Sequence, residues 1–226
     1  MTKIIRGALD FFFRRDLWVD ADRGFNGQAY RQKIFASLVQ AQRFRCIIET
    51  GTFRGVTTEY MHRHSLCPIY TVEQHPRYFG FSLVRLLFKG RVHQTLRDSV
   101  TFLRDFSVSL ANEGDAVLFY LDAHWDKPLP LREELKIIAQ RWPKAVVLID
   151  DFQVPNDSGY AYDDYGPGEA LTLEYIAASN LPSYAAFFPR AASSEETGSK
   201  RGCVVLAFDV ATIDLLSKNE HLRRHR

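Results

Sequence analysis

Four acidic positions define the chemistry open to this chain, because each closes a short apolar run. Glu49 follows Cys46-Ile47-Ile48, Glu73 ends the run from Ile69, Asp122 follows Ala116 to Leu121, and Asp150-Asp151 follow Ala145 to Ile149. Such runs, rich in β-branched residues and bounded by turn signals, read as buried parallel strands. In an open α/β sheet ligands bind beyond the carboxyl ends of the strands, so these acids belong on one rim. Like charges on one rim repel unless a cation or hydrogen-bond donors offset them. Asp122, Asp150 and Asp151, with no matching cysteine or paired-histidine spacing, suit a hard, oxygen-seeking ion, Mg²⁺ before Ca²⁺ or Zn²⁺. The plainer alternative has one of Asp150 and Asp151 capping the next turn while its neighbour is solvated. Adjacent strand residues point to opposite faces, so both reach one ion only if the chain turns there. His62 and His64, two apart on a helix, do not share a face and are no ligand pair.

The residues after Glu49 supply a second kind of site. Gly51 and Gly55 bracket Thr52, Phe53 and Arg54, and Val56 to His64 continue with helix-compatible spacing. Strand, glycine turn and helix in that order bring backbone close to a ligand and aim N–H groups at oxygen-rich groups. A glycine pair in such a turn is also compatible with a purely structural role. The spacing, Glu-x-Gly-x-x-x-Gly, differs from the dinucleotide pattern Gly-x-Gly-x-x-Gly. Glu73 lies 22 residues beyond Gly51, where a carboxylate can accept both hydroxyls of a ribose.

The elements that must position these groups alternate. Tyr30, Ile34 and Leu38 mark one helix face before the first strand. After the second strand, Phe79 to Phe88 is an apolar helix and Arg91 to Thr95 a weaker third strand. Val100, Leu103 and Leu110 lead to the Asn112-Glu113-Gly114 turn, and Leu131, Leu135, Ile138 and Trp142 mark the helix between the fourth and fifth strands. This predicts a doubly wound, mostly parallel sheet. After the fifth strand come a polar, aromatic loop, a helix around Leu171 to Ala178, and strands over Tyr184 to Phe188 and Cys203 to Phe208. Too few residues separate the last two for a helical crossover, so they should pair antiparallel and complete a seven-stranded sheet.

Composition narrows the setting. A 226-residue chain, 46% hydrophobic and 25% charged, suits one substantial domain, and its formal charge of +2 gives no reason to expect nucleic acid. Three dispersed cysteines, Cys46, Cys67 and Cys203, fit reduced thiols in a cytoplasmic protein. No apolar run approaches a membrane span, and Phe11 to Phe13, interrupted by charges, form no signal peptide. The expected organisation is an N-terminal extension over 1–27, one domain over 28–218 and a solvated basic tail over 219–226. A homo-oligomer is compatible with this organisation.

The glycine turn, the strand-end acids and the terminal antiparallel pair together resemble the class I S-adenosylmethionine-dependent methyltransferases, whose Rossmann-like sheet ends in such a hairpin. The resemblance implies a cofactor site of Glu49, Gly51, Thr52, Gly55 and Glu73. Glu73 would be the ribose acid, with Asp98 and Ser99 near the adenine. Asp98-Ser99 also reads as a helix N-cap, and one residue can do both. LDAHW (Leu121 to Trp125) and LIDDF (Leu148 to Phe152) are similar to motifs of the metal-dependent macrocin O-methyltransferase type. That similarity implies Mg²⁺ on Asp122, Asp150 and Asp151 and a small-molecule sugar or natural-product hydroxyl as methyl acceptor. Where that type has Asp-Gly-Asp, this chain has Asp122-Ala123-His124, so His124 becomes the expected base, or else a residue orienting a metal-binding carboxylate. Tyr160, Tyr162 and Tyr165, in the loop Gly159 to Gly168, would form a substrate wall or lid. The rival readings are a degenerate methyltransferase fold serving as a binding module, and an NAD-dependent oxidoreductase. The glycine spacing and terminal hairpin disfavour the second.

Overall fold

The structure is a computed structural model that describes residues 2–106, 115–124 and 128–225. Leu110, the Asn112-Glu113-Gly114 turn and Trp125 lie outside the described residues. Eight strands form one sheet: β1 (Cys46–Thr50), β2 (Ile69–Glu73), β3 (Val92–Leu96), β4 (Val117–Leu121), β5 (Ala145–Asp150), β6 (Ala185–Pro189), β7 (Cys203–Ala207) and β8 (Leu222–Arg224). Their order is β3-β2-β1-β4-β5-β7-β6-β8. The first five strands are parallel, β7 runs antiparallel to β5 and β6, and β8 runs antiparallel to β6. The expected count was seven. The eighth strand comes from the segment expected to be a solvated basic tail, where Leu222 is buried and Arg224 is exposed.

Helices α1 (Lys3–Phe13), α2 (Ala29–Ala41), α3 (Val56–His64), α4 (Pro76–Arg85), α5 (Ser99–Asp105), α6 (Leu131–Arg141), α7 (Leu173–Ala177) and α8 (Val210–Ser217) complete the architecture. Strand side chains alternate between two apolar layers, as the period of two requires. Ile48, Phe119, Leu121, Val147 and Ile149 pack with Leu103, Leu135, Ile138 and Trp142 of α5, α6 and the residue after it. Ile47, Leu118, Val146, Leu148 and Val205 pack with Ile34, Phe35, Leu38, Tyr60 and Met61 of α2 and α3. With both faces covered, β1, β4 and β5 are buried along their whole length, and only their carboxyl ends open to a cleft.

The first turn exists because two glycines allow it. Gly51 has φ +90°, and a Cβ there would collide with the Asp122 carbonyl where β1 and β4 end side by side. The N–H groups of Gly51 and Thr52 both donate to the Val72 carbonyl, at 3.0 and 3.2 Å, which ties the turn to β2. At the N-terminus α1 lies on α4, with Gly7 against the Arg77 carbonyl, Gly80 against the Ile4 carbonyl and an Asp10–Arg77 ion pair at 2.6 Å.

Candidate active site

Glu73 is built into the end of β2 as the clasp of the glycine turn. One carboxylate oxygen accepts the Phe53 N–H at 2.8 Å and the other the His75 N–H at 2.7 Å. Burial raises its pKa, against the opposing pull of those N–H bonds. A carboxylate offers about four acceptor positions, more than these two bonds use. Glu49 sits deeper and is fully buried. One of its oxygens accepts the Thr58 and Thr71 hydroxyls at 2.5 and 2.6 Å, and the other is buried without a partner. Burial pushes Glu49 up to about 7. Thr52 shares a 2.5 Å hydroxyl contact with Thr71 and also lines the cleft.

The cleft has a volume of about 860 Å³, within the range of small-molecule sites. Gly51, Thr52, Asp122, Asp151 and Tyr165 line it, together with Asp163 of the Gly159 to Gly168 loop and with Arg23, Asn26, Ser199 and Arg201, which the sequence reading did not single out. Glu49, Gly55, Glu73, Asp98, Ser99, Asp150, His124, Tyr160 and Tyr162 are not among its lining residues. Gly55, at φ +74°, opens α3, and Asp98 caps α5 through the Thr101 N–H at 2.8 Å. Ser99 faces the buried Glu134 carboxyl, beside the Thr50 hydroxyl, and neither closes a hydrogen bond to it. Tyr160 is a core residue, its hydroxyl donating to the Ala191 carbonyl at 3.3 Å. Tyr165 reaches the rim, where its hydroxyl donates to Asp163 at 2.7 Å and contacts the His124 carbonyl. The His124 ring is buried, with Nε2 3.2 Å from the Leu121 carbonyl and Nδ1 without a partner. Burial lowers its pKa, so the ring is neutral near pH 7.

Two of the three aspartates expected to hold Mg²⁺ are paired with arginines instead. The chain does turn at Asp151, whose φ is +54°, and the turn separates the two side chains. Asp150 is buried against the Arg31 guanidinium and accepts the Tyr120 hydroxyl at 2.5 Å. Asp151 pairs with Arg201 Nε at 2.6 Å, and the same guanidinium contacts Asp163. Asp122 lies beside Tyr120, 3.3 Å from its hydroxyl, and burial followed by the nearby Asp151 charge holds its carboxyl well above the usual range. No three His, Cys, Asp or Glu side chains among the described residues form a group able to hold a metal ion. The donor set does not fit Mg²⁺, because two of its three acids are already neutralised by arginines.

S-adenosylmethionine is in a different position, since the residues present fit it. The glycine turn after β1, an orphaned buried oxygen on Glu49 and the Glu73 carboxylate lie together at the ends of β1 and β2. No protein-family model and no curated protein matches the chain. Solved structures share its fold over nearly its whole length. TomG, an O-methyltransferase from Streptomyces achromogenes involved in tomaymycin synthesis and solved with S-adenosylmethionine, is 18% identical, with a TM-score of 0.56 over 92% of this chain and 90% of TomG. An O-methyltransferase from Bacillus cereus solved with S-adenosylhomocysteine is 17% identical, with a TM-score of 0.56 over 92% of each chain. A protein from Klebsiella pneumoniae described as an O-methyltransferase is 16% identical, with a TM-score of 0.57 over 93% of this chain and 91% of its own. The fold is therefore the Rossmann-like α/β fold of class I methyltransferases. No helix among the described residues is long and apolar enough to cross a membrane.

Proposed function

We propose that the protein is an S-adenosylmethionine-dependent O-methyltransferase acting on a hydroxyl of a small molecule, such as a sugar or another natural product. The observation that carries this reading is the glycine turn, tied to β2 by Glu73, lining a cleft that Asp122, Asp151 and Asp163 also line. The cofactor, when bound, supplies an electrophilic methyl group. Glu73 would hold the ribose diol, while Gly51 lets the backbone approach the methionine end. Asp122, Asp151 and Asp163 line the region open to an acceptor. Asp122 is the group we assign to take the acceptor proton, because it lines the cleft at the end of β4 beside the Gly51 turn. His124, buried and turned toward Leu121, instead supports Tyr165 through its carbonyl. Likeness to the cofactor-bound TomG and Bacillus cereus structures supports the cofactor.

Isothermal titration calorimetry with S-adenosylhomocysteine and with NAD tests the assignment. The first should bind and the second should not, and Glu73→Gln should weaken the first. Binding of NAD alone would overturn the proposal. Bound S-adenosylhomocysteine without methyl transfer to any of a panel of hydroxyl compounds would instead support the binding-module alternative.

A further inference from the structure

The acidic rim needs positive charge, and the fold supplies it covalently. Three carboxylates, Asp122, Asp151 and Asp163, line the cleft, with the Arg201 guanidinium paired to two of them. The position of Arg201 is held from both sides of its peptide unit. Its N–H donates to Gln28 Oε1 at 2.9 Å, and its carbonyl accepts Gln28 Nε2 at 2.8 Å. The Arg31 guanidinium contacts that carbonyl and donates to the Gly202 carbonyl at 3.0 Å. Gln28 and Arg31 are themselves buried, at 0% and 1% exposure, so this is a framework rather than a surface accident. Glu196 fixes the framework in turn by accepting the N–H groups of Tyr30 and Arg31 at 2.9 and 3.2 Å, at the start of α2.

We propose that Arg201 is the cation resident among the cleft's carboxylates, occupying the place a divalent ion would need at Asp151 and orienting Asp151 and Asp163 toward the acceptor. The proposal rests on the methyl-transfer reading for the identity of the acceptor, but not for the exclusion of the ion. An Mg²⁺ ion demands oxygen ligands at about 2.0–2.1 Å in near-octahedral array. At Asp151 it would meet a guanidinium already at ion-pair distance, so two cations would compete for one carboxylate. Asp150 offers no alternative, because Arg31 and Tyr120 already hold it. Arg201 is a positioning residue in this scheme, and its removal should convert the rim into a metal site.

The test is a Mn²⁺ titration followed by electron paramagnetic resonance, with S-adenosylhomocysteine calorimetry on the same samples. The wild-type protein should show no saturable Mn²⁺ site up to millimolar concentration. Arg201→Met should acquire one, at least about tenfold tighter than any wild-type binding, since a unit charge at this distance outweighs a decade of affinity at the effective dielectric of a protein surface. Arg201→Lys should not gain the site, and adding Asp151→Asn to Arg201→Met should remove it. A saturable wild-type site that Asp151→Asn abolishes would overturn the proposal. So would the absence of a gained site in an Arg201→Met protein with native circular dichroism. If Arg201→Met does not fold, the wild-type and Asp151→Asn titrations decide alone. Failure of every sample to bind S-adenosylhomocysteine would count against the methyl-transfer reading and leave the Mn²⁺ result standing.

Discussion

Replacing Glu73 by Gln separates the two duties of that carboxylate, because the change conserves shape and removes one acceptor oxygen. Each oxygen now accepts one backbone N–H, from Phe53 and from His75, in a side chain only 7% exposed. Whichever way the amide lies, its NH₂ faces one of those N–H groups, and that charge-assisted bond is lost. Such a bond contributes about 1.5–3 kcal/mol, and the surviving bond weakens as its acceptor becomes neutral. A loss of about 2–4 kcal/mol at about 2–4 °C per kcal/mol predicts a Tm lower by roughly 4–16 °C for a chain of this size. Cofactor affinity should fall as well. The ribose diol loses one charge-assisted bond, which makes the Kd for S-adenosylhomocysteine about ten- to a hundredfold weaker. Differential scanning calorimetry of the free protein and isothermal titration of the ligand read the two effects independently. A lowered Tm with wild-type affinity would refute the ribose role and leave Glu73 as a clasp. An unchanged Tm would refute the clasp itself.

Two further perturbations follow from buried charge. Glu49 and Glu134 are each pushed by burial from 4.5 to about 7, so the folded protein holds their protons more tightly than the unfolded chain. Their stabilising contribution is therefore complete below pH 4.5 and is lost as pH rises through about 7, on the order of 3 kcal/mol per group. Urea midpoints measured from pH 5 to 8 should fall with pH in the wild type and fall less steeply in Glu134→Gln; equal slopes would contradict the assignment. Arg31→Met should cost about 3–5 kcal/mol by stranding Asp150, whereas Arg31→Met with Asp150→Asn should recover much of that loss. Additive losses in this double-mutant cycle, measured by urea denaturation, would show that the pair is not coupled.

Much of the frame is legible in the sequence because local signals and tertiary demands agree there. Gly55 and the spacing from Val56 to His64 mark the bounds of α3, and the apolar runs closed by Glu73 and Asp122 coincide with the ends of β2 and β4. Helix α1 escapes a one-stripe reading because its apolar face is broad and only part of it is covered. Gly7 faces α4, while Ile5, Phe12 and Phe13 remain exposed. Strand β8 escapes because an edge strand needs little apolar content, and here Leu222 alone is fully buried. At the site, the repulsion among strand-end acids correctly demands compensating charge, but its source is hidden. Arg31 and Arg201 lie 170 positions apart and meet only because β7 folds back beside β5. The doubled acid at Asp150-Asp151 looks like a ligand pair for the same reason, since neither arginine partner is near it in the chain.

Strand β8 also has a bearing on how the molecule behaves among its own copies. Its neighbour β6, Ala-Ala-Phe-Phe-Pro, carries no charge and is buried along its length. A bare apolar edge of that kind is a template for pairing with another chain. Leu222 to Arg224 covers that edge, with Arg223 lying 5.6 Å over the Phe188 ring and donating to the Pro155 and Pro189 carbonyls at 3.0 and 3.2 Å. The outermost rung presented to solvent is therefore short and cationic, which discourages edge-to-edge growth. A chain trimmed before Leu222 would keep its cleft and lose this guard, and self-association rather than inactivity would be the first symptom.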